Sequence, residues 1–213
     1  MFTQRVGCAP PPGYNHSVSD RLYFSCWVKD NRTQPLLHQF HKLVDRFPFS
    51  KLTKRGLVLR TYVMERAEPA LMEREFPVDT DLGPVLDAAR EFMGADSSCE
   101  IEAAWDLWDY DSARGAEAWK LSPVPVTLAC YGPEFENEIG DHLRIELGLD
   151  SRFVPIPGVE GSLRMGESNL KSLLHLVGDL EQTLSIERRQ VWSESGANFA
   201  EVLRQSVGDY RPN

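Results

Sequence analysis

The stretch WDLWDYD, Trp105 to Asp111, places two tryptophans, a tyrosine and three aspartates within seven residues. Aromatics and carboxylates at that density could stack a sugar, supply the acid pair of a hydrolase, or anchor a protein partner. Glycoside hydrolysis needs carboxyl groups ~5 to 9.5 Å apart across the scissile bond. Glu102 and Asp106, four residues apart on a strand, would stand about 13 Å apart and make a poor pair. Glu100 with Glu102, or Asp109 with Asp111, would fall near ~7 Å, but any strand with carboxylates at i and i+2 offers that spacing. Neither pair matches a calcium loop.

On a strand from Glu100 to Tyr110, Ile101, Ala103, Trp105 and Leu107 point one way, and Glu102, Asp106, Trp108 and Tyr110 point the other. Trp105 is therefore expected in the core. Trp108 and Tyr110, amid Glu102, Asp106 and Asp109, are the expected anchors for a partner.

A second chemistry is readable in GVEGSLRMGESNLK, Gly158 to Lys171. Glycines just before a helix start leave backbone N–H groups free to hold an anion, with Ser162, Arg164 and Lys171 as side-chain donors and Ser168 as the expected cap. This is the basis of an alternative reading, a small enzyme acting on an anionic or phosphorylated small molecule. No Walker loop or GxSxG elbow accompanies it, so catalytic residues stay unassigned. His38, His41 and Asp45 share a helical face at i, i+3 and i+7, but HxxH without the glutamate of HExxH is a weak metal signal. His142, Arg144 and Glu146 alternate on one strand face and are expected to form cross-strand pairs. Cys8, Cys26, Cys99 and Cys130 lack CxxC or Cys/His spacing and are expected as reduced, buried thiols. No cofactor and no metal are expected.

Charge narrows the partner. The net charge is −9. Residues 65–111 hold 14 acidic side chains and three arginines, a local −11, which leaves +2 for the rest. Such a surface argues against nucleic acid and favours a basic protein partner. No apolar run reaches the ~20 residues of a membrane span, and the first residues lack a secretory apolar core, so a cytoplasmic location is expected. The leading expectation is a non-enzymatic protein-binding module. Toxin neutralisation, as bacterial immunity proteins perform it, is one job for an acidic protein of this size, as an analogy of class without matching residues.

The elements that must position these groups read as α+β, mainly antiparallel. CAPPPGYNHSVS marks residues 1–19 as a flexible arm, and 20–213 as a single compact domain with possible lobes at 20–112 and 117–213. LYFSCWV, apolar on both alternating faces, suits an interior strand covered on two sides. A helix follows, with Thr33 as its expected cap, the stripe Leu36, Leu37, Phe40, Leu43, Val44 and Phe47, and Pro48 as its stop. GLVLRTYVM and ALMEREF around RAEP read as a hairpin. Leu82 to Met93 reads as a second helix with Gly94 as C-terminal cap. With the strand to Tyr110 the order is β-α-β-β-α-β, which resembles the ferredoxin-like arrangement in element order alone. The second half reads as two strands, Pro123 to Gly132 and Asp141 to Leu149, followed by two helices. The stripe of the first is Leu170, Leu173, Leu174, Val177, Leu180 and Leu184. The second is a short helix opened by Asn198 and Glu201.

Overall fold

The computed structural model describes residues 19–111, 119–156, 158–195, 199 and 203. Among them run β1 (Arg21–Val28), α1 (Thr33–Arg46), β2 (Val58–Val63), β3 (Met72–Glu75), α2 (Leu82–Phe92), β4 (Ser97–Tyr110), β5 (Trp119–Tyr131), β6 (Leu143–Leu149), α3 (Ser162–Thr183) and β7 (Ile186–Ser193). All seven strands join one antiparallel sheet in the order β3-β2-β4-β5-β6-β1-β7.

The mixed, antiparallel class agrees with the sequence, and so does the β-α-β-β-α-β order of the first six elements. The ferredoxin-like pairing does not form. β1 leaves the first-half strands and lies between β6 and β7. The long β4 pairs instead with its chain neighbour β5, in an unbroken register from Ser98↔Tyr131 to Tyr110↔Trp119. A ladder between strands so near in sequence costs little chain entropy, so it forms readily at the edge that β1 would have taken.

Alternation decides which face is core. Phe24, Ile101, Leu128 and Ile145 point to one side, where they pack with Leu36, Phe40 and Leu43 of α1, Val85 and Ala89 of α2, and Leu173, Val177 and Leu180 of α3. All three helices contribute to this cluster and none to the smaller one on the opposite face, which consists of Ala129, Tyr131 and Phe135 with Tyr62 against them. Among the described residues β1 is thus interior to the sheet but covered by helices on one side only, a correction to the two-sided cover expected for LYFSCWV.

Local signals hold in α1: Phe47, which precedes Pro48, is extended and ends the helix. They fail at three caps. Thr33 is the first helical residue and Arg32 precedes it as the cap. Gly94 shows no positive φ, because Met93 already leaves α2 in an extended conformation. α3 starts at Ser162, ahead of Ser168, because Gly161 takes the left-handed φ of 77° at which glycine alone is unstrained. In α3, Leu174 is 59% exposed and Leu176 is buried in its place.

Two further differences concern the second half. IERRQVWS forms β7, which the sequence did not signal. Of the expected last helix, Phe199 and Leu203 are helical and Phe199 is buried; Asn198 and Glu201 lie outside the described residues, as do residues 1–18 of the expected arm. Cys26, Cys99 and Cys130 are buried free thiols, and burial pushes the Cys26 thiol up to about 12. No helix among the described residues is long and apolar enough to cross a membrane.

Candidate functional site

The face away from the helices carries the polar alternation of five strands in register. One row across it is Glu100, Ala129, Arg144, Ser25 and Gln190; the next is Glu102, Thr127, Glu146, Tyr23 and Trp192. Among the described residues, the excursion from Gly132 to Asp141 and the loop after Met64 lean over one end, joined by the bridge Glu65↔Glu136. Gly132 makes this possible. Its N–H donates to the Ser97 carbonyl, and a Cβ there would stand 2.3 Å from the carbonyl oxygen of Ala95.

Arg144 is the hub of the face. It is 8% exposed and donates from Nε and Nη2 to the two oxygens of Asp141, both at 2.8 Å. Ser25 Oγ donates to the same carboxylate at 2.6 Å and accepts the Trp192 indole N–H at 3.0 Å. The guanidinium carbon lies 5.1, 5.7 and 5.8 Å from the ring centroids of Tyr131, Trp192 and Tyr23, within cation–π range. Tyr23 and Trp192 stack at 4.5 Å. Glu146 pairs with Arg21 across β1 and β6 at 3.1 Å, and Arg188 caps the Trp27 ring at 3.5 Å.

Beside this hub lies Glu100, 3% exposed, with Arg66 Nε 3.0 Å from its Oε1. Burial pushes its carboxyl above the ordinary range, and the Arg66 charge opposes this only in part. Arg66, Glu100, Thr127, Tyr131, Arg144 and Glu146 line an open depression that encloses about 10 Å³, room for one water, so with Arg66 in place it holds no small-molecule substrate.

The expected partner contacts are divided. Glu102, Asp106, Trp108 and Tyr110 share the open face, but Asp109 turns to the helix side and meets Arg152 at 3.2 Å, as strand alternation from Leu107 requires. Two of the carboxylates are engaged inside the protein. Arg60 holds Glu102 at 2.7 Å and Glu73 at 2.6 Å, while Asp106 accepts from Ser50 Oγ and from the Lys51 N–H. Glu100 and Glu102 therefore each face an arginine of their own, which is a poor arrangement for a hydrolytic pair. Trp108 is half-buried, and its backbone is clamped by Asn169, whose Oδ1 accepts the N–H at 2.9 Å and whose Nδ2 donates to the carbonyl at 2.8 Å. The Tyr110 ring lies 5.1 Å from that of Trp119.

At the glycine-rich loop, Ser162 is buried and its hydroxyl donates to the Ile156 carbonyl, while Arg164 and Lys171 are exposed. Lying seven residues apart on α3, these two bases are ~10 Å apart along the helix axis. His38 and Asp45 are exposed and His41 is half-buried. No three His, Cys, Asp or Glu side chains among the described residues are placed to share a metal ion. Arg66, Tyr131, Asp141, Tyr23 and Trp192 were missed by sequence reasoning. The alternation of Tyr23 with Trp27 and of Arg144 with Glu146 was the available signal, but their convergence depends on strand register.

Compared with family models, curated proteins and solved structures, the chain gives no match.

The rim of this face is pH-sensitive. His142 Nδ1 accepts the Val28 N–H at 3.0 Å, which requires that nitrogen to be unprotonated. Burial lowers the ring's pKa from its usual 6.5, and lowers that of His41 too. A base depressed in the folded state contributes stability above its unfolded pKa and loses it as pH falls through the folded one. Denaturation midpoints are therefore expected to fall as pH drops below 6.5. His142→Gln should flatten that slope. Glu100 acts with the opposite sign, since its raised pKa makes protonation favourable in the fold, so the wild-type minus His142→Gln difference is the informative quantity.

Proposed function

We propose that the chain is a non-enzymatic binding protein that receives a basic protein partner on the face of its sheet away from the helices. The observation that supports this reading is the face itself. Half-buried Tyr23, Trp27, Trp192, Trp108 and Tyr110 lie along it, and the exposed carboxylates of Glu65, Glu68, Glu73, Glu75, Glu134, Glu136 and Glu138 surround one end. Aromatic and arginine side chains dominate the energetics of protein interfaces, and a one-signed rim speeds encounter with the opposite charge. Trp108 and Tyr110 remain anchors on this reading. Glu102 and Asp106 act by shaping the face, since both are held by internal partners. Neutralisation of a basic effector, the kind of task immunity proteins perform, belongs to this class.

The test is capture from extracts of the source organism. Wild type should retain a protein with a basic isoelectric point. A variant with Trp27→Ala and Trp108→Ala should lose it by at least about tenfold, a change that hot-spot aromatics commonly produce. Leu174→Ala, exposed on the helix side, should retain it. An acidic partner, or equal capture by the aromatic variant, overturns the reading.

A further inference from the structure

We propose that the depression over Glu100 is a subsite for a single guanidinium group of that basic partner, and that Arg66 fills it in the free protein. The proposal rests on the binding function above and adds the chemistry of one contact.

Glu100 sits in mid-sheet, in register between Arg60 of β2 and Ala129 of β5. Its Oε1 is buried and, although 3.0 Å from Arg66 Nε, accepts no hydrogen bond. Two residues earlier on the same strand face, Ser98 Oγ is also buried and without a hydrogen bond. Buried acceptors left unmatched are uncommon and cost free energy until a donor arrives. A guanidinium carries five N–H donors in one plane and grips a carboxylate with two of them at once.

Arg66 shows that the cradle admits this group, and also why a guest can improve on it. It reaches in from the loop after Met64, where φ is 69°. That loop is pinned by the Met64 N–H on the Asp96 carbonyl and by the Glu136 N–H on the Met64 carbonyl. Tethered in this way, Arg66 approaches the carboxylate by its Nε edge and keeps half its side chain in water. An untethered arginine can bring the two-pronged end of the fork. Glu146 lines the opening beside Glu100, and Glu65, Glu68, Glu134, Glu136 and Glu138 are exposed on the two loops that meet at the bridge Glu65↔Glu136, an excess of carboxylates that favours cations over anions. The Arg144 charge on the floor is already committed to Asp141.

The probe is N-acetyl-arginine methylamide, titrated into the full chain and followed by the amide resonances of Thr127, Ala129 and Tyr131. Arg66→Ala should bind it at least about tenfold more tightly than wild type, the gain from removing a competing occupant. Adding Glu100→Gln to Arg66→Ala should abolish that gain. The lysine analogue should bind at least about tenfold more weakly than the arginine probe. Arg66→Ala binding no better than wild type, Glu100→Gln binding as well as Glu100, or lysine binding as well as arginine each overturns the subsite. Glu100→Gln alone should raise the denaturation midpoint at neutral pH by removing a poorly compensated buried charge. A fall would mark Glu100 as a structural counter-ion and also overturn the subsite. The aromatic variant should bind the small probe as wild type does. If it loses the captured protein while Glu100→Gln keeps it, the subsite fails and the binding function stands.

Discussion

Arg144→Ala is expected to destabilise the fold by about 3 to 5 kcal/mol, the cost of leaving one partner of a buried ion pair behind. Asp141 would be that partner, 1% exposed and stripped of two 2.8 Å hydrogen bonds. Ser25 alone would still donate to it. Tyr23, Tyr131 and Trp192 would lose the cation they surround. Chemical denaturation at pH 7 measures the effect as a lower midpoint at unchanged slope. Replacing both partners, Arg144→Met with Asp141→Leu, should recover a large part of the loss, because no buried charge is then left unpaired. If Arg144→Ala costs under about 1 kcal/mol, the pair behaves as a surface ion pair and Arg144 is not the buried hub of this face.

The second large effect separates two tryptophans three residues apart. Trp105→Ala should cost about 3 to 5 kcal/mol, the range for emptying a buried aromatic site. Trp105 is 4% exposed and meets Phe47 edge-on at 5.8 Å, where the chain after α1 bridges to β4 at Phe49. Trp108→Ala should cost on the order of 1 kcal/mol, since its ring is half-buried and its backbone clamp by Asn169 survives the change. Thermal or chemical unfolding of the two single variants distinguishes them directly. Similar losses for both would mean that Trp108 is core and would remove it from the contact face.

This difference was readable from the strict period of two in Glu100 to Tyr110, and so was the stripe of α1, because each element's burial pattern is local. What was not readable depends on partners distant in sequence. Asp109 adjoins Trp108 in sequence, yet an odd offset on a strand sends it to the opposite side. β7 was invisible because IERRQVWS lies at the sheet's rim with Glu187, Arg188, Arg189 and Gln190 all exposed, so no apolar alternation marks it. In sequence Arg144 reads as a cross-strand pairing residue, but its partner is Asp141, three residues back, and its aromatic surround comes from three other strands. Only the register of β5, β6, β1 and β7 brings Tyr131, Arg144, Tyr23 and Trp192 together.

The position of β1 between β6 and β7 also has a temporal side. Strand residues 21–28 leave the ribosome well ahead of both their neighbours, at 143–149 and 186–193. Until Ser193 has emerged, Phe24 and Cys26 lack one flanking backbone. Nascent chains held short of that point expose an unpaired, aromatic-rich segment, the kind of segment on which chaperones act and from which aggregates grow.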